Sequence, residues 1–269
     1  MLNNKLREKF LKNGYFKIKI FPKKITDQFK SELAKSIKLI FEREFKKNTK
    51  FKLNNKDWLI NQGMAYLEKI NHKYLVEIYN QIPSSHIFYN LINYQKNISI
   101  INELLNRPKK NNIYIHPATL RMDVPINYKY MYGWHRDNNS NMPGSNFIQL
   151  WFPIVNNIAK NLGGIHVLKG SHIANNGKGL TTTSTRSELS RLKADLPIRP
   201  KLNTKVVDKN KYEEKYITAK VGEVVFFDSA LMHKGGLNKT KNMMRYVVAA
   251  FCHDTTNKKW KFSHKYYKK

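Results

Sequence analysis

Residues 222–233 read Gly222-Glu223-Val224-Val225-Phe226-Phe227-Asp228-Ser229-Ala230-Leu231-Met232-His233: a turn, a β run, then a histidine. Glycine opens the turn, and the β-branched and aromatic residues from Val224 to Phe227 suit a pleated strand. Working outward, similar short runs fall at Thr119 to Val124, Tyr128 to Trp134, Phe147 to Val155 and Gly164 to Leu168. Others follow at Lys205 to Val207, Tyr216 to Ala219 and Tyr246 to Phe251. Short strands broken by turn signals predict a sandwich or barrel.

Upstream the pattern changes at Arg107-Pro108. Leu6, Phe10 and Leu11 have helical spacing, and Gly14 follows as a stop. Tyr15 to Phe21 alternates apolar residues with lysine, as a strand does, and Pro22 ends it. Thr26 then opens an amphipathic stretch through Phe45, with Phe29, Leu33, Ile37 and Ile40 or Phe41 on one face. Further helices are expected around 56–70, 72–81 and 84–105. The class is therefore α+β in one domain spanning 1–269. Residues 1–110 are mostly helical support, and 111–256 form the β core. The polar stretch near 173–202 is an insertion, and 257–269 is a basic, aromatic-rich tail.

With 41% hydrophobic and 12% aromatic residues among 269, the chain has material for a real core, so disorder is excluded as the default. Lys+Arg is 49 against Asp+Glu 19, a formal charge of +30. Such an excess suits nucleic acid, anionic membrane or acidic small molecules. Yet the lysines are scattered along the chain beside abundant Asn and Ile, as an AT-rich genome would write them. The single cysteine, Cys252, excludes an intrachain disulfide. With no apolar signal core and no long apolar run, a cytoplasmic protein without a membrane span is expected.

The chemistry concentrates in Trp134-His135-Arg136-Asp137. In an extended segment His135 and Asp137 share a face, so an imidazole nitrogen and a carboxylate oxygen can meet at one metal ion. Two His and one carboxylate on one octahedral face are the ligand set of non-haem Fe(II) oxygenases. His-x-Asp alone occurs often by chance. His233 at the end of its β run supplies a distal second imidazole, and Arg245 follows twelve positions later. A guanidinium fork there suits a dicarboxylate. The order of all four is far more specific than any part.

These residues resemble the phytanoyl-CoA dioxygenase family of Fe(II)/2-oxoglutarate oxygenases. The carrying segments are Trp134 to Asp137, Leu150-Trp151-Phe152-Pro153-Ile154, Gly163 to His172 and Gly222 to Arg245, within roughly 115–252. The resemblance implies a double-stranded β-helix, a jelly-roll or cupin-like barrel with the N-terminal helices packed outside. It implies His135, Asp137 and His233 as ligands of Fe(II). Arg245 is implied as partner of the distal carboxylate of 2-oxoglutarate, Trp151 lies near that cosubstrate, and Asn238 sits in the loop closing the site. The implied reaction uses O2 and 2-oxoglutarate to hydroxylate a small-molecule substrate, releasing succinate. With Asp137 present, hydroxylation is favoured over halogenation.

There are departures. Some relatives carry Ser two residues after the distal His; here Gly235 stands there, and Thr240, Gln149 or a tyrosine is left to supply the hydrogen bond. Arg136 replaces a common Gln, and Lys169-Gly170-Ser171-His172 replaces Pro-Gly-Ser-His. Arg121 and Arg136 are candidates for contact with an anionic substrate, although Arg121 also reads as an ordinary ion pair with Asp123. His166 and His172 read as structural, and Trp134 as packing behind the ligand segment. The tail's lysines and aromatics suit nucleic acid or a solvated end. Oxygenation of a nucleic acid or another anionic macromolecule, and an inactive barrel acting as a binding module, remain the alternative functions.

Overall fold

The computed structural model describes residues 2–45, 50–106, 113–127, 133–137, 147–173 and 211–254. Helix α1 (Asn4–Asn13) starts where the Asn3 side chain accepts a hydrogen bond from the Leu6 N–H at 2.9 Å. It stops at Gly14, whose φ of +82° is left-handed and whose N–H returns to the Phe10 carbonyl. Strand β1 (Tyr15–Lys19) follows. Helix α2 (Lys23–Phe45) begins directly after Pro22, earlier than the expected Thr26. The Thr26 hydroxyl donates to the Lys23 carbonyl and so lies inside the first turn. Its face of Phe29, Leu33, Ile37, Ile40 and Phe41 is buried as the spacing requires. Each such side chain contributes about 1.5–3 kcal/mol by burial.

The expected helix over 56–70 is α3 (Lys56–Trp58), a π-helical turn (Leu59–Gly63) and α4 (Met64–Ile70). Helix α5 (His72–Gln81) matches its expected span. The stretch 84–105 is two helices, α6 (His86–Ile92) and α7 (Gln95–Leu104). Ser85 caps the first of these, and the chain leaves the helical path at Asn93 and Tyr94.

The β elements are β2 (Ile113–Asp123), β3 (Phe147–Pro153), β4 (Ile165–Leu168) and β5 (Glu214–Ile217). They continue with β6 (Glu223–Asp228), β7 (His233–Gly235) and β8 (Arg245–Asp254). β7 is too short to show alternation, and its pairing with β4 makes it a strand. The run Lys205 to Val207, residues 128–132 of the run to Trp134, residues 174–202 of the insertion, and the tail lie outside the described residues.

Two antiparallel sheets result, ordered β1-β6-β3-β8-β2 and β5-β4-β7. Alternation divides the larger sheet's side chains. Val224, Phe226, Ile148, Leu150, Phe152, Tyr246, Val248 and Ala250 pack with the helices in one cluster. Trp151, Val225, Phe227 and Val247 pack instead with Ile165, Val167 and Ile217 of the smaller sheet. The layers are thus helices, large sheet, small sheet, the expected α+β arrangement. The ligand residues belong to the inner space. No helix among the described residues is long and apolar enough to cross a membrane.

Candidate metal centre

His233 opens β7. Its register, Val167 opposite His233 and Ile165 opposite Gly235, puts both His233 and Gly235 on the face of the inner cluster. His135 does not lie in a regular strand. It forms an isolated antiparallel bridge with His233, made by His135 N–H to His233 O at 2.9 Å and His233 N–H to His135 O at 3.0 Å. The extended segment expected around His-x-Asp is therefore reduced to one bridge, yet the side chains converge as that reading required.

His135, Asp137 and His233 each offer a ligand atom within 4.8 Å of the other two. His233 Nε2 is 3.3 Å from Asp137 Oδ2, and His135 Nε2 is 3.7 Å from Asp137 Oδ1. Donors at about 2.1 Å on adjacent corners of an octahedron stand about 3 Å apart, so the spacing fits one ion. The tautomers fit too. His135 Nδ1 donates to the Gly133 carbonyl at 2.7 Å, and His233 Nδ1 to the Leu231 carbonyl at 3.0 Å. Each ring then presents its unprotonated Nε2 toward Asp137, its orientation fixed by a carbonyl two residues upstream.

The charge states agree. Burial, aided by His233, lowers the His135 pKa to about 4, with Asp137 pulling only partly the other way, so the imidazole is neutral. For Asp137 burial works upward but is outweighed by His233, His135 and a hydrogen bond from Gln149, leaving the carboxyl below its ordinary value. Phe227 packs edge-on against His233 at 5.0 Å between centroids.

Arg245 opens β8 opposite Asp123 of β2, on the inner face. Its guanidinium is buried and engaged: Nε donates to Asp123 Oδ2 at 2.7 Å, Nη2 meets the same oxygen at 2.6 Å, and Nη1 donates to the Gly163 and Gly236 carbonyls. Arg121 shares the carboxylate, its Nη2 3.4 Å from Asp123 Oδ1, so the ordinary ion pair weighed for it is present. For Asp123 burial works upward, but Arg245 and Arg121 outweigh it and hold the carboxyl below its ordinary value. Two guanidiniums and one carboxylate leave a net charge of +1 on this wall. Trp151 lies on the same inner face, opposite Ala249.

Two of the expected site residues have their side chains engaged by the protein itself. Asn238 is only 2% exposed, and its side chain is consumed within its own loop. Nδ2 donates to the Asp123 and Met243 carbonyls, and Oδ1 accepts from the Thr240 N–H and hydroxyl. It braces the ends of β2 and β8 rather than facing a cosubstrate, and Thr240 is spent in the same way. Arg136 is fully buried, and its Nη2 donates to the Ser171 carbonyl at 2.6 Å. It stands between two residues whose side chains converge, and its own side chain is directed to Ser171.

His166 pairs with Glu214 at 2.6 Å, and His172 Nε2 bonds the Leu11 carbonyl at 3.0 Å. Trp134 packs with Leu168 and Met232. The structural readings of all three hold. Sequence reasoning missed Ser171 as an anchor and Asp123 as the main partner of Arg245. The alternation of Arg121 and Asp123 signalled a shared face, but nothing local placed Arg245 opposite them.

Residues 121–247, a little under half of the chain, match the model of the Phytanoyl-CoA dioxygenase (PhyH) family. No curated protein matches the sequence. Among solved structures, the epimerase SnoN in complex with Fe3+, alpha ketoglutarate and nogalamycin RO is similar with a TM-score of 0.60 at 12% identity, over 94% of this chain and 83% of that one. EctD from S. alaskensis with bound Fe gives 0.58 at 14% identity, over 95% and 78%. EvdO2 from Micromonospora carbonacea var. aurantiaca complexed with 2-oxoglutarate gives 0.53 at 16% identity, over 94% and 91%. Likeness at such identities is one of fold, and the fold is the double-stranded β-helix that the resemblance implied. The resemblance read from the ligand order is therefore borne out over residues 121–247, where the model of the phytanoyl-CoA dioxygenase family matches.

Proposed function

We propose that this protein is an Fe(II)- and 2-oxoglutarate-dependent dioxygenase that hydroxylates a C–H bond of a small molecule. The observation that carries this reading is the convergence of the His135 and His233 imidazoles, each held at Nδ1 by a backbone carbonyl, on the Asp137 carboxylate. His135, His233 and Asp137 would hold the metal. Fe(II) with 2-oxoglutarate supplies the oxidising chemistry, in which O2 is consumed, 2-oxoglutarate loses CO2 to become succinate, and the substrate gains a hydroxyl.

The chain's own residues do the rest. The +1 wall of Arg121, Asp123 and Arg245 attracts an anion into the inner space, and Arg245 is the fork for the distal carboxylate of 2-oxoglutarate. To accept it, the guanidinium shares or releases its Asp123 contacts while Gly163 and Gly236 keep hold of Nη1. Trp151 and Phe227 are apolar walls that keep water away. With Asp137 completing a carboxylate-containing ligand set, hydroxylation is favoured over halogenation.

The test is an anaerobic titration of Fe(II) and 2-oxoglutarate, read by the visible charge-transfer band of their chelate. Wild type is expected to show the band, His135→Ala to lose it, and Arg245→Ala to need far more 2-oxoglutarate. A folded, metal-loaded wild type without the band would refute the proposal.

A further inference from the structure

Arg136 heads the largest fully buried side chains of the protein, and the metal chemistry does not use it. A buried guanidinium is costly unless its placement returns something. Its Nη2 donates to the Ser171 carbonyl at 2.6 Å. The Ser171 hydroxyl in turn accepts from the Met232 N–H at 2.9 Å, and Met232 is the residue before His233. Ser171 is itself pinned, its N–H donating to the Leu168 carbonyl at 3.1 Å, while the Leu168 N–H donates to the Met232 carbonyl at 2.9 Å. Arg136, Ser171 and Met232 are all fully buried.

The ligands ride on two arms, 133–137 and 231–235. In front, the arms are joined by the His135–His233 bridge, and Trp134 of one packs with Met232 and beneath the Lys234 ammonium of the other. The two backbone hydrogen bonds of the bridge fix the separation of the arms at His135 and His233. Asp137 lies two residues beyond that bridge, with Arg136 between, so the anchoring of Arg136 bears on where its carboxylate stands. We propose that Arg136 is a positioning residue for the metal centre. Through Ser171 it ties the His135–Asp137 arm to the His233 arm from behind and so sets the distance of Asp137 from the two Nε2 atoms. This rests on the reading of His135, Asp137 and His233 as a metal centre. It also explains why Ser171 is buried with both its carbonyl and its hydroxyl engaged. The contact from Arg136 Nη2 is made by one point donor, so a lysine can reproduce it in part and a methionine cannot.

The probe is Co(II), titrated into the metal-free full chain under argon and followed by its d–d absorption, with melting curves and far-UV circular dichroism alongside. Wild type and His135→Ala report on the centre itself, since binding that is absent or indifferent to His135 refutes the metal reading. Given His135-dependent binding, Arg136→Met is expected to keep its fold yet bind Co(II) about tenfold or more weakly, as lost outer-shell contacts do. At saturating Co(II) its absorption should differ in position and intensity from wild type, which a purely structural role would not produce. Arg136→Lys should recover most of the affinity and the wild-type spectrum. Ser171→Ala, which cuts the chain at Met232, should shift both readouts in the direction of Arg136→Met. Wild-type affinity and spectrum in folded Arg136→Met would overturn the proposal. If that variant does not fold, the same result in Ser171→Ala would overturn it.

Discussion

Replacing Asp123 by Leu tests the electrostatics of the inner wall. Asp123 and Arg245 face each other across β2 and β8, with side chains 13% and 5% exposed, and Asp123 Oδ2 takes contacts from both Nε and Nη2. Asp123→Leu leaves a buried guanidinium with only the Gly163 and Gly236 carbonyls. Breaking a buried pair from one side costs about 3–5 kcal/mol. For a chain of this size that lowers Tm by about 10 °C. Arg245→Met should cost a similar amount, because the carboxylate keeps only its longer contact with Arg121. The double variant removes both charges, so its loss should fall well short of the sum, by about 2–3 kcal/mol. Urea unfolding followed by circular dichroism measures all four corners. Losses that add within about 0.5 kcal/mol would refute the argument. The pH dependence has a definite sign. The Asp123 pKa is depressed in the folded state, so its stabilisation is present above the ordinary value of 3.8 and is lost as pH falls through the lowered one. The margin of wild type over Asp123→Leu should therefore hold steady from pH 7 to about 4 and shrink only below.

Two glycines, one just before β4 and one in β7, should respond in opposite ways. A Cβ at Gly164 would lie 2.2 Å from the Ile217 carbonyl, so Gly164→Ala should cost about 3 kcal/mol by forcing β4 from β5, whereas one at Gly235 meets nothing within 4 Å, so Gly235→Ala should change stability by under about 0.5 kcal/mol; thermal melts compare them. The buried Tyr246 hydroxyl donates to the Ile60 carbonyl, and Tyr246→Phe should cost about 1–3 kcal/mol in urea unfolding because that carbonyl is left without its partner.

Much of this was legible in the sequence because the signals were local. Phe29, Leu33 and Ile37 repeat at helical spacing, Gly14 stops α1, and Val224 to Phe227 extends as a strand, since each depends on neighbours within a few residues. The ligands were legible through their order along the chain. What sequence could not supply was pairing. His233 joins His135 through a bridge between segments nearly a hundred residues apart, and no periodicity marks β7, because three residues are too few to alternate. The partner of Arg136 was hidden for the same reason. A charged residue beside two ligands looks like part of a pocket, and only the Ser171 carbonyl shows that it faces the opposite way. Asn238 suits a binding loop by composition, but its acceptor and donors close on Asp123, Thr240 and Met243.

The position of β1 bears on how the chain can be divided. The family match starts at residue 121, yet the sheet carrying Arg245 and Trp151 begins with Tyr15–Lys19, which pairs with β6 along its whole length. The family match and the folding unit therefore have different borders. A shortened chain that kept only the matched span would expose the backbone of β6 as a bare edge, with Phe226 stripped of the Phe16 ring stacked on it at 5.2 Å. Edges of that kind recruit other strands. Insertion of partners, aggregation or exchange of β1 between two copies would then be the behaviour of the fragment, and its lack of activity would say nothing about the chemistry of the whole.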